Sequence, residues 1–161
     1  MNANREIERE YKSNNLIIRH ILSETSKICD YDYDPMRPNR RFIGTFTHKL
    51  KFLDSITEEN KMTLRFSSET CADMLTTIYK FLYTNPSVVS SVKDVYIDNN
   101  LYPITITFSK VLNNKSGEKI IQISYLNKGV YSSVILNDQE LESIIEMMES
   151  DDIILDAFID Y

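Results

Sequence analysis

The stretch "KMTLRFSSETCADMLTTIYKFL" (residues 61–82) decides the predicted fold, because it joins a strand to a capped helix. Its first apolar residues, Met62, Leu64 and Phe66, alternate with polar ones as in a half-buried strand. Ser67 then stands where a helix N-cap is expected, and apolar residues follow at spacings of three and four. The stretch therefore predicts a strand that leads directly into an amphipathic helix.

The same pattern returns seventy residues later, in "YSSVILNDQELESIIEMME" (residues 131–149). Here Asn137 takes the cap position, and Glu140 follows three residues on, as in a capping box. Two copies of one sheet-plus-helix unit are therefore predicted. The matched residues are Phe66 and Leu136, Ser67 and Asn137, Cys71 and Leu141, Met74 and Ile144, Leu75 and Ile145, and Ile78 and Met148.

The remaining segments fit strands, turns and one further helix. Residues 5–28 carry apolar side chains at spacings of three, four and seven with charged residues between them, which predicts an amphipathic helix. The next stretch, "CDYDYDPMRPNRR", contains two prolines and is expected to be a connector or a short edge strand. Residues 41–53 alternate like a strand that forms a hairpin with residues 61–66. Four more strands are predicted near residues 94–98, 103–112, 118–126 and 130–136, with a hairpin turn at "NNKSGE" (residues 113–118).

We predict a single α+β domain over residues 1–161, with antiparallel sheet structure and helices packed on one face. It consists of two unequal units, a β-hairpin plus a helix and then four strands plus a helix, preceded by an N-terminal helix. The predicted boundaries are 1–29 for the N-terminal amphipathic helix, 30–40 for the connector, 41–83 for the first unit, 93–149 for the second, and 150–161 for an acidic C-terminal segment that is either a docked helix or a free tail.

The charge is unevenly distributed. The chain has a formal net charge of −6, but nine carboxylates and no Lys or Arg occur from Asp138 onward, so residues 1–137 carry +3. The acidic character therefore belongs to the C-terminal end, and it does not exclude a nucleic-acid partner for the rest. The abundance of Ile, Asn, Lys and Tyr is typical of an AT-rich genome, such as that of a phage or virus.

Several classes of function find no support in the sequence. No G-x-S-x-G, H-E-x-x-H or glycine-rich phosphate loop occurs, so no catalytic residues, no cofactor and no enzymatic activity are expected. His20 and His48 are far apart in the chain and have no Cys or His close in sequence, so no metal site is predicted. Cys29 and Cys71 lack a paired spacing, and no apolar run approaches the roughly 18 residues of a membrane span, which favours an intracellular protein without a membrane partner.

A four-stranded antiparallel sheet whose last strand enters a Ser- or Asn-capped helix resembles the repeat of the PC4-like, Whirly and PUR single-stranded nucleic-acid-binding proteins. The resemblance covers residues 61–82 and, more completely, residues 93–149. It implies that the outward face of the sheet and its hairpins contact single-stranded DNA or RNA. It also implies that the helices pack behind the sheet or build a dimer, so a homo-oligomer is expected.

The outward face of the predicted sheet is rich in cations, which is also apparent without any family. Lysines and arginines alternate with the core positions on both strands of the first hairpin, whereas the neighbouring acids fall in its turn. Lys and Arg bind phosphates, and an aromatic side chain stacks on bases. Exposed lysines are also what a soluble sheet displays in order to deter aggregation. The candidate nucleic-acid-binding residues are Arg41, Lys49, Lys51, Lys61, Arg65, Lys119, Lys128 and Tyr131.

Two functions therefore stay open. The first is a single-stranded nucleic-acid-binding protein that serves replication, recombination or transcription. The second is an interaction adaptor or host-directed nucleic-acid mimic, whose acidic C-terminal segment recruits a protein partner. Deleting residues 150–161 separates them, because it should abolish partner capture under the second and preserve oligonucleotide binding under the first.

Overall fold

The computed structural model describes residues 6–29, 42–84, 89–97, 100–112 and 119–149, which form eight strands and two helices. The strands are β1 (Glu6–Lys12), β2 (Leu16–Cys29), β3 (Phe42–Asp54), β4 (Asn60–Ser67), β5 (Ser90–Ile97), β6 (Ile104–Leu112), β7 (Lys119–Asn127) and β8 (Val130–Leu136). The helices are α1 (Ser68–Tyr83), which follows β4, and α2 (Asp138–Glu149), which follows β8.

The strands form one antiparallel sheet in the order β1 to β8. The two halves of the sheet meet at β4 and β5, which pair only at Leu64 with Ile97 and at Arg65 with Tyr96. The predicted α+β class is confirmed. The two unequal units are wrong, because four strands precede α1 as well as α2 and the first strand already begins at residue 6.

The predicted N-terminal helix is also wrong, since β1 and β2 form an antiparallel hairpin in its place. The hydroxyl of Ser13 holds the turn, where it accepts a hydrogen bond from the N–H of Leu16 at 3.0 Å. β2 is an interior strand, and Leu16, Ile17 and Ile18 are buried one after another. A strand buried on both faces has no polar alternation, so its apolar spacing can be mistaken for that of a helix.

Both helices cover the same face of the sheet, which we call the inner face. Their buried side chains share one hydrophobic cluster with alternate residues of the strands, such as Leu64 of β4 and Leu136 of β8. The Sγ of Cys71 lies 3.8 Å from the Sδ of Met148, so α1 and α2 also contact each other. Each helix buries a stripe of apolar side chains against the sheet. At roughly 1.5–3 kcal/mol per large side chain, burial of each stripe stabilises the packing of its helix by several kcal/mol. The stripes are Cys71, Met74, Ile78 and Phe81 on α1, and Leu141, Ile144, Ile145 and Met148 on α2.

Both predicted helix caps are confirmed. The Oγ of Ser67 accepts a hydrogen bond from the N–H of Thr70 at 3.2 Å. In the second half, the N–H of Glu140 donates to the side-chain oxygen of Asn137 at 2.8 Å, and the N–H of Asn137 donates to Oε1 of Glu140 at 2.9 Å. This reciprocal pair is a complete capping box, which fixes where β8 ends and α2 begins.

Three predicted segments lie wholly or partly outside the described residues. They are the connector at 30–40, the turn "NNKSGE" at 113–118 and the acidic segment at 150–161. The short β7–β8 turn is described, and its two central residues, Lys128 and Gly129, have φ angles of 52° and 79°. Two positive φ angles in sequence are typical of a tight hairpin turn, where glycine avoids the steric cost. Neither described helix is long and apolar enough to cross a membrane.

Candidate nucleic-acid interface

The face of the sheet opposite the helices, which we call the outer face, carries the predicted cations of the first half. In the strand register, Arg19 of β2 pairs with Lys51 of β3, which pairs with Thr63 of β4. The next row places Lys49 of β3 beside Arg65 of β4. Lys61 lies at the irregularity of β4 opposite Phe52 and Leu53, two residues before Thr63, and extends these rows. The five side chains form one cationic patch, consisting of Arg19, Lys49, Lys51, Lys61 and Arg65.

Arg19 is the member of the patch that the sequence did not indicate, because it falls within the segment predicted to be a helix. Its Nε lies 2.8 Å from Oε1 of Glu10 and 3.7 Å from Oε1 of Glu8, both on β1. The hydrogen bond that Arg19 donates to the Glu10 carboxylate raises the pKa of Arg19 above its usual value. Arg19 thus keeps its charge but shares it with two carboxylates, and β1 bounds the patch with an acidic edge.

The three lysines of the patch differ from Arg19, because no ion pair to them occurs among the described residues. Lys49 and Lys51 are half-buried, and Lys61 is exposed. Lys49 pairs in register with Ile21, an outward residue that is only 8% exposed. Lysine stems can cover apolar surface of this kind while the ammonium group reaches water. The lysine heads are therefore available to an anion.

Arg65 occupies the end of the patch nearest the second half. Its Nη2 donates a hydrogen bond to the carbonyl oxygen of Asn100 at 3.1 Å, and its guanidinium lies 5.6 Å from the ring centroid of Tyr96. The two interactions hold the cation over an aromatic ring. The pair lines a cleft of about 240 Å³ together with Phe46, Thr47, Phe66 and Ser67.

The second half presents a different surface on the outer face. Four residues with hydroxyl side chains pair in one row across β5 to β8. In strand order they are Ser91, Thr107, Ser124 and Ser133. Tyr131 on β8 is 59% exposed, and its hydroxyl accepts a hydrogen bond from Nε2 of Gln122 at 3.0 Å. This bond orients the ring while leaving much of the side chain open to solvent. An aromatic ring suits a base, and hydroxyl groups can hydrogen-bond to the phosphates and sugars of the same strand.

A second cleft connects β8 with the cationic patch. It has a volume of about 300 Å³ and is lined by Asn15, Leu16, Lys61, Ser133, Val134 and Ile135. Lys61 of the first half and Ser133 of the second therefore border one depression. The cleft places β8 next to the Lys61 end of the patch, and Leu16 and Val134 of the inner-face cluster form part of its lining.

The remaining predicted residues lie away from the cationic patch or outside the described part of the chain. Lys128 lies exposed in the β7–β8 turn. Lys119 begins β7, but its side chain lies outside the described part of the chain, and so does the whole of Arg41. The acidic segment of residues 150–161, on which the adaptor hypothesis rests, is likewise not described. Four of the eight predicted residues are thus brought together, namely Lys49, Lys51, Lys61 and Arg65.

The two histidines are neighbours in space, contrary to their separation in the sequence. The Nε2 of His20 lies 2.9 Å from Nδ1 of His48, on the inner face and buried. Burial, together with the proximity of His48, lowers the pKa of His20 to about 3, and burial lowers that of His48 to about 4. Within the described residues, no group of three metal-binding side chains is present. The pair is therefore a neutral structural contact behind the interface.

Comparison with known proteins supports the fold and no more. No family model and no curated protein matches the sequence. The structure is similar to the crystal structure of WHY1 from Arabidopsis thaliana, with a TM-score of 0.50 and 10% identity over 99% of this chain and 88% of that chain. The fold is therefore Whirly-like, in agreement with one of the three families that the sequence resembles.

Proposed function

We propose that the protein binds single-stranded DNA or RNA along the outer face of its sheet. The observation that carries the proposal is the set of three lysines, Lys49, Lys51 and Lys61, on adjacent strands of the face that the helices leave open. Clustered cations that track a backbone, next to aromatic side chains, are the usual basis of single-strand binding. The Whirly-like fold supports this proposal, because the family resemblance implies nucleic-acid contacts on the same face.

The two halves of the sheet would then have different roles. The lysines contact phosphates, and Tyr131 stacks on a base of the same strand. The acidic edge formed by Glu8 and Glu10 repels phosphates and directs the strand away from β1. The bound strand therefore runs from the cationic patch towards β8 rather than over the whole outer face.

We place this activity in an intracellular accessory protein of replication, recombination or transcription that has no catalytic step of its own. Cys29 and Cys71 lack the paired spacing of a disulfide framework, which suits a reducing compartment. We also propose that the chain assembles as a homo-oligomer, as the family resemblance implies. Light scattering over a range of concentrations tests the assembly, and a monomer at every concentration contradicts it.

Binding is tested by fluorescence anisotropy with a labelled oligo(dT) of about 12 nucleotides at low salt. The variant Lys51→Glu should bind roughly tenfold more weakly than wild type, since it removes one phosphate contact and adds a repulsion of similar size. Combining it with Lys49→Glu should weaken binding further. The matched control is Lys80→Glu, which makes the same charge change on α1, behind the sheet.

The proposal is tested by comparing the loss of affinity in Lys51→Glu, on the outer face, with that in Lys80→Glu, behind the sheet. Equal weakening by Lys51→Glu and Lys80→Glu would mean that only the net charge matters, and the outer face would lose its assignment. Failure of the wild-type protein to bind oligo(dT) and oligo(U) at low salt would remove the proposed function altogether.

A further inference from the structure

The cleft beside Arg65 exists because β4 and β5 separate there. The two strands pair at Arg65 and Tyr96, and beyond this point β4 turns into α1. On the other side, β5 has a bulge between Val92 and Val95, where Asp94 has a φ of 63°. A bulge bends its strand and leaves one residue unpaired. The cleft is thus built into the junction of the two halves of the sheet.

One wall of the cleft is a cation held over an aromatic ring. The guanidinium of Arg65 lies over the Tyr96 ring and is fixed by its hydrogen bond to Asn100. Arg65 and Tyr96 are both half-buried, so each retains surface that reaches solvent. Side chains that are already held in place need little further ordering when a planar group binds against them.

The rest of the lining is aromatic with one available hydroxyl. Phe66 is buried and Phe46 is half-buried. The Ser67 hydroxyl is already used as the cap of α1. The Thr47 hydroxyl makes no hydrogen bond to another residue of the described part of the chain. At about 240 Å³, the cleft lies below the range of roughly 300–1,000 Å³ that is typical of pockets for whole drug-sized ligands.

We infer that this cleft takes one nucleobase, turned out of the stack of the bound single strand. The base stacks against the Arg65 and Tyr96 wall, and the Thr47 hydroxyl faces its polar edge. In the register Lys49 lies beside Arg65, which puts a phosphate-binding cation next to the cleft. The inference rests on the proposed function and adds to it Tyr96, which the sequence did not single out.

The chemistry of the lining favours a base over a phosphate in this position. A phosphate needs several converging donors, whereas the cleft offers an Arg that already donates a hydrogen bond to Asn100 and lies over the Tyr96 ring. Aromatic rings and a guanidinium plane are the surfaces on which single-stranded bases stack. Such stacking tolerates every base, so the cleft adds affinity with little preference for sequence.

Ultraviolet crosslinking of the wild-type protein tests the cleft directly. An oligo(dT) in which 5-iodouracil replaces some thymines forms adducts with aromatic side chains that contact the base, and mass spectrometry maps them. We expect an adduct on Tyr96 or Phe46. Adducts at Tyr131 with none at either position in the cleft would overturn the inference while leaving the proposed function in place.

Binding measurements give an independent readout. Tyr96→Ala should weaken oligo(dT) binding roughly 5- to 100-fold, as the loss of one stacked base does. Tyr96→Phe should stay close to wild type, because it keeps the ring. The control Tyr83→Ala removes a tyrosine on α1 that is 73% exposed, and it should change nothing.

An oligonucleotide made of abasic sites completes the thermodynamic cycle. It retains the phosphates and lacks the bases, so wild type and Tyr96→Ala should bind it equally. If wild type binds oligo(dT) and Tyr96→Ala binds it equally well, the cleft holds no base and the proposed function survives. If wild type binds neither oligonucleotide, the proposed function itself fails. If Tyr96→Ala does not fold, crosslinking of the wild-type protein still tests whether a base occupies the cleft.

Discussion

His20 and His48 lie on adjacent strands and share one buried hydrogen bond, with 2.9 Å between Nε2 of His20 and Nδ1 of His48. Their rings stack with centroids 5.2 Å apart, and the ring of Phe66 stacks on His48 at 5.5 Å. One nitrogen of the pair must donate and the other must accept, so the contact needs at least one lone pair. Protonating both rings would turn two N–H groups towards each other.

The protein should therefore lose stability in mild acid. The folded pKa values of His20 and His48 are depressed to about 3 and about 4, against about 6.5 when unfolded. Between these values the unfolded state binds more protons, so the stabilisation is complete above pH 6.5 and falls as the pH drops. Each histidine should remove about 1.4 kcal/mol per pH unit in this window. Urea unfolding at pH 7, 6 and 5 measures the slope.

Carboxylates also destabilise proteins in acid, so a control is needed. The double variant His20→Gln/His48→Gln keeps a donor and an acceptor at each position and removes the titrating rings. It should unfold with a shallower dependence on pH between 5 and 7. Identical slopes in the wild-type and variant proteins would show that the histidine pair does not account for the acid sensitivity.

The salt dependence of binding should distinguish Lys51 from Arg19, although the two lie side by side in register. For a single strand, each phosphate contact contributes about 0.7 to the slope of log K against log salt. Lys51→Gln should lower the slope by about this amount. Arg19→Gln should lower it much less, because Glu10 and Glu8 already neutralise Arg19. Equal changes would mean that Arg19 leaves its carboxylates when it binds the strand.

The acidic edge on β1 should restrain binding. The double variant Glu8→Gln/Glu10→Gln releases Arg19 and removes two charges that repel phosphates, so oligo(dT) should bind several-fold more tightly at low salt. The cost in folding stability should be small, since exposed ion pairs contribute about 0–1 kcal/mol each. The control Glu142→Gln changes one exposed carboxylate on α2. Affinity that stays unchanged in the β1 variant would show that the strand never approaches this edge.

The sequence predicted the parts of the fold that are governed by local patterns. Ser67 and Asn137 cap helices because a side-chain oxygen satisfies amides only a few residues away. β1 alternates in burial, but the prediction joined it to β2 in one helix. β2 was missed because Ile17 and Ile21 are buried on the outer face while Ile18 and Leu22 are buried on the inner face. Burial on both faces removes the period of two, and the remaining spacing fits a helix equally well.

The position of a candidate site residue was predictable where the alternation along its own strand determines which face it lies on. Alternation alone puts Lys49 and Lys51 on the face opposite Leu50, and the structure places them there. Tyr96 and Arg19 gave no such signal, because their importance comes from the partner strand that pairing brings beside them. The proximity of His20 and His48 likewise depends on the pairing of β2 with β3, which the predicted N-terminal helix excluded.

Glu140 should prove more important for stability than its position on a helix suggests. Its side chain is 1% exposed, and while Oε1 completes the α2 capping box, Oε2 accepts a hydrogen bond from the Ser13 hydroxyl at 2.7 Å. Ser13 lies in the β1–β2 turn, so one carboxylate links the first hairpin to the last helix. Glu140→Ala should lower the free energy of unfolding by about 2–4 kcal/mol, because it removes the box and leaves buried donors unsatisfied.

The link between Glu140 and Ser13 can be measured as a coupling. Ser13→Ala alone should cost about 1 kcal/mol. Combined with Glu140→Ala, the loss should be smaller than the total of the two single losses, because the same hydrogen bond is removed in both. Glu142→Ala, on the exposed side of α2, serves as the control and should change stability by less than about 0.5 kcal/mol. Additive losses in urea unfolding would show that Ser13 and Glu140 contribute independently, and that α2 is capped without help from the first hairpin.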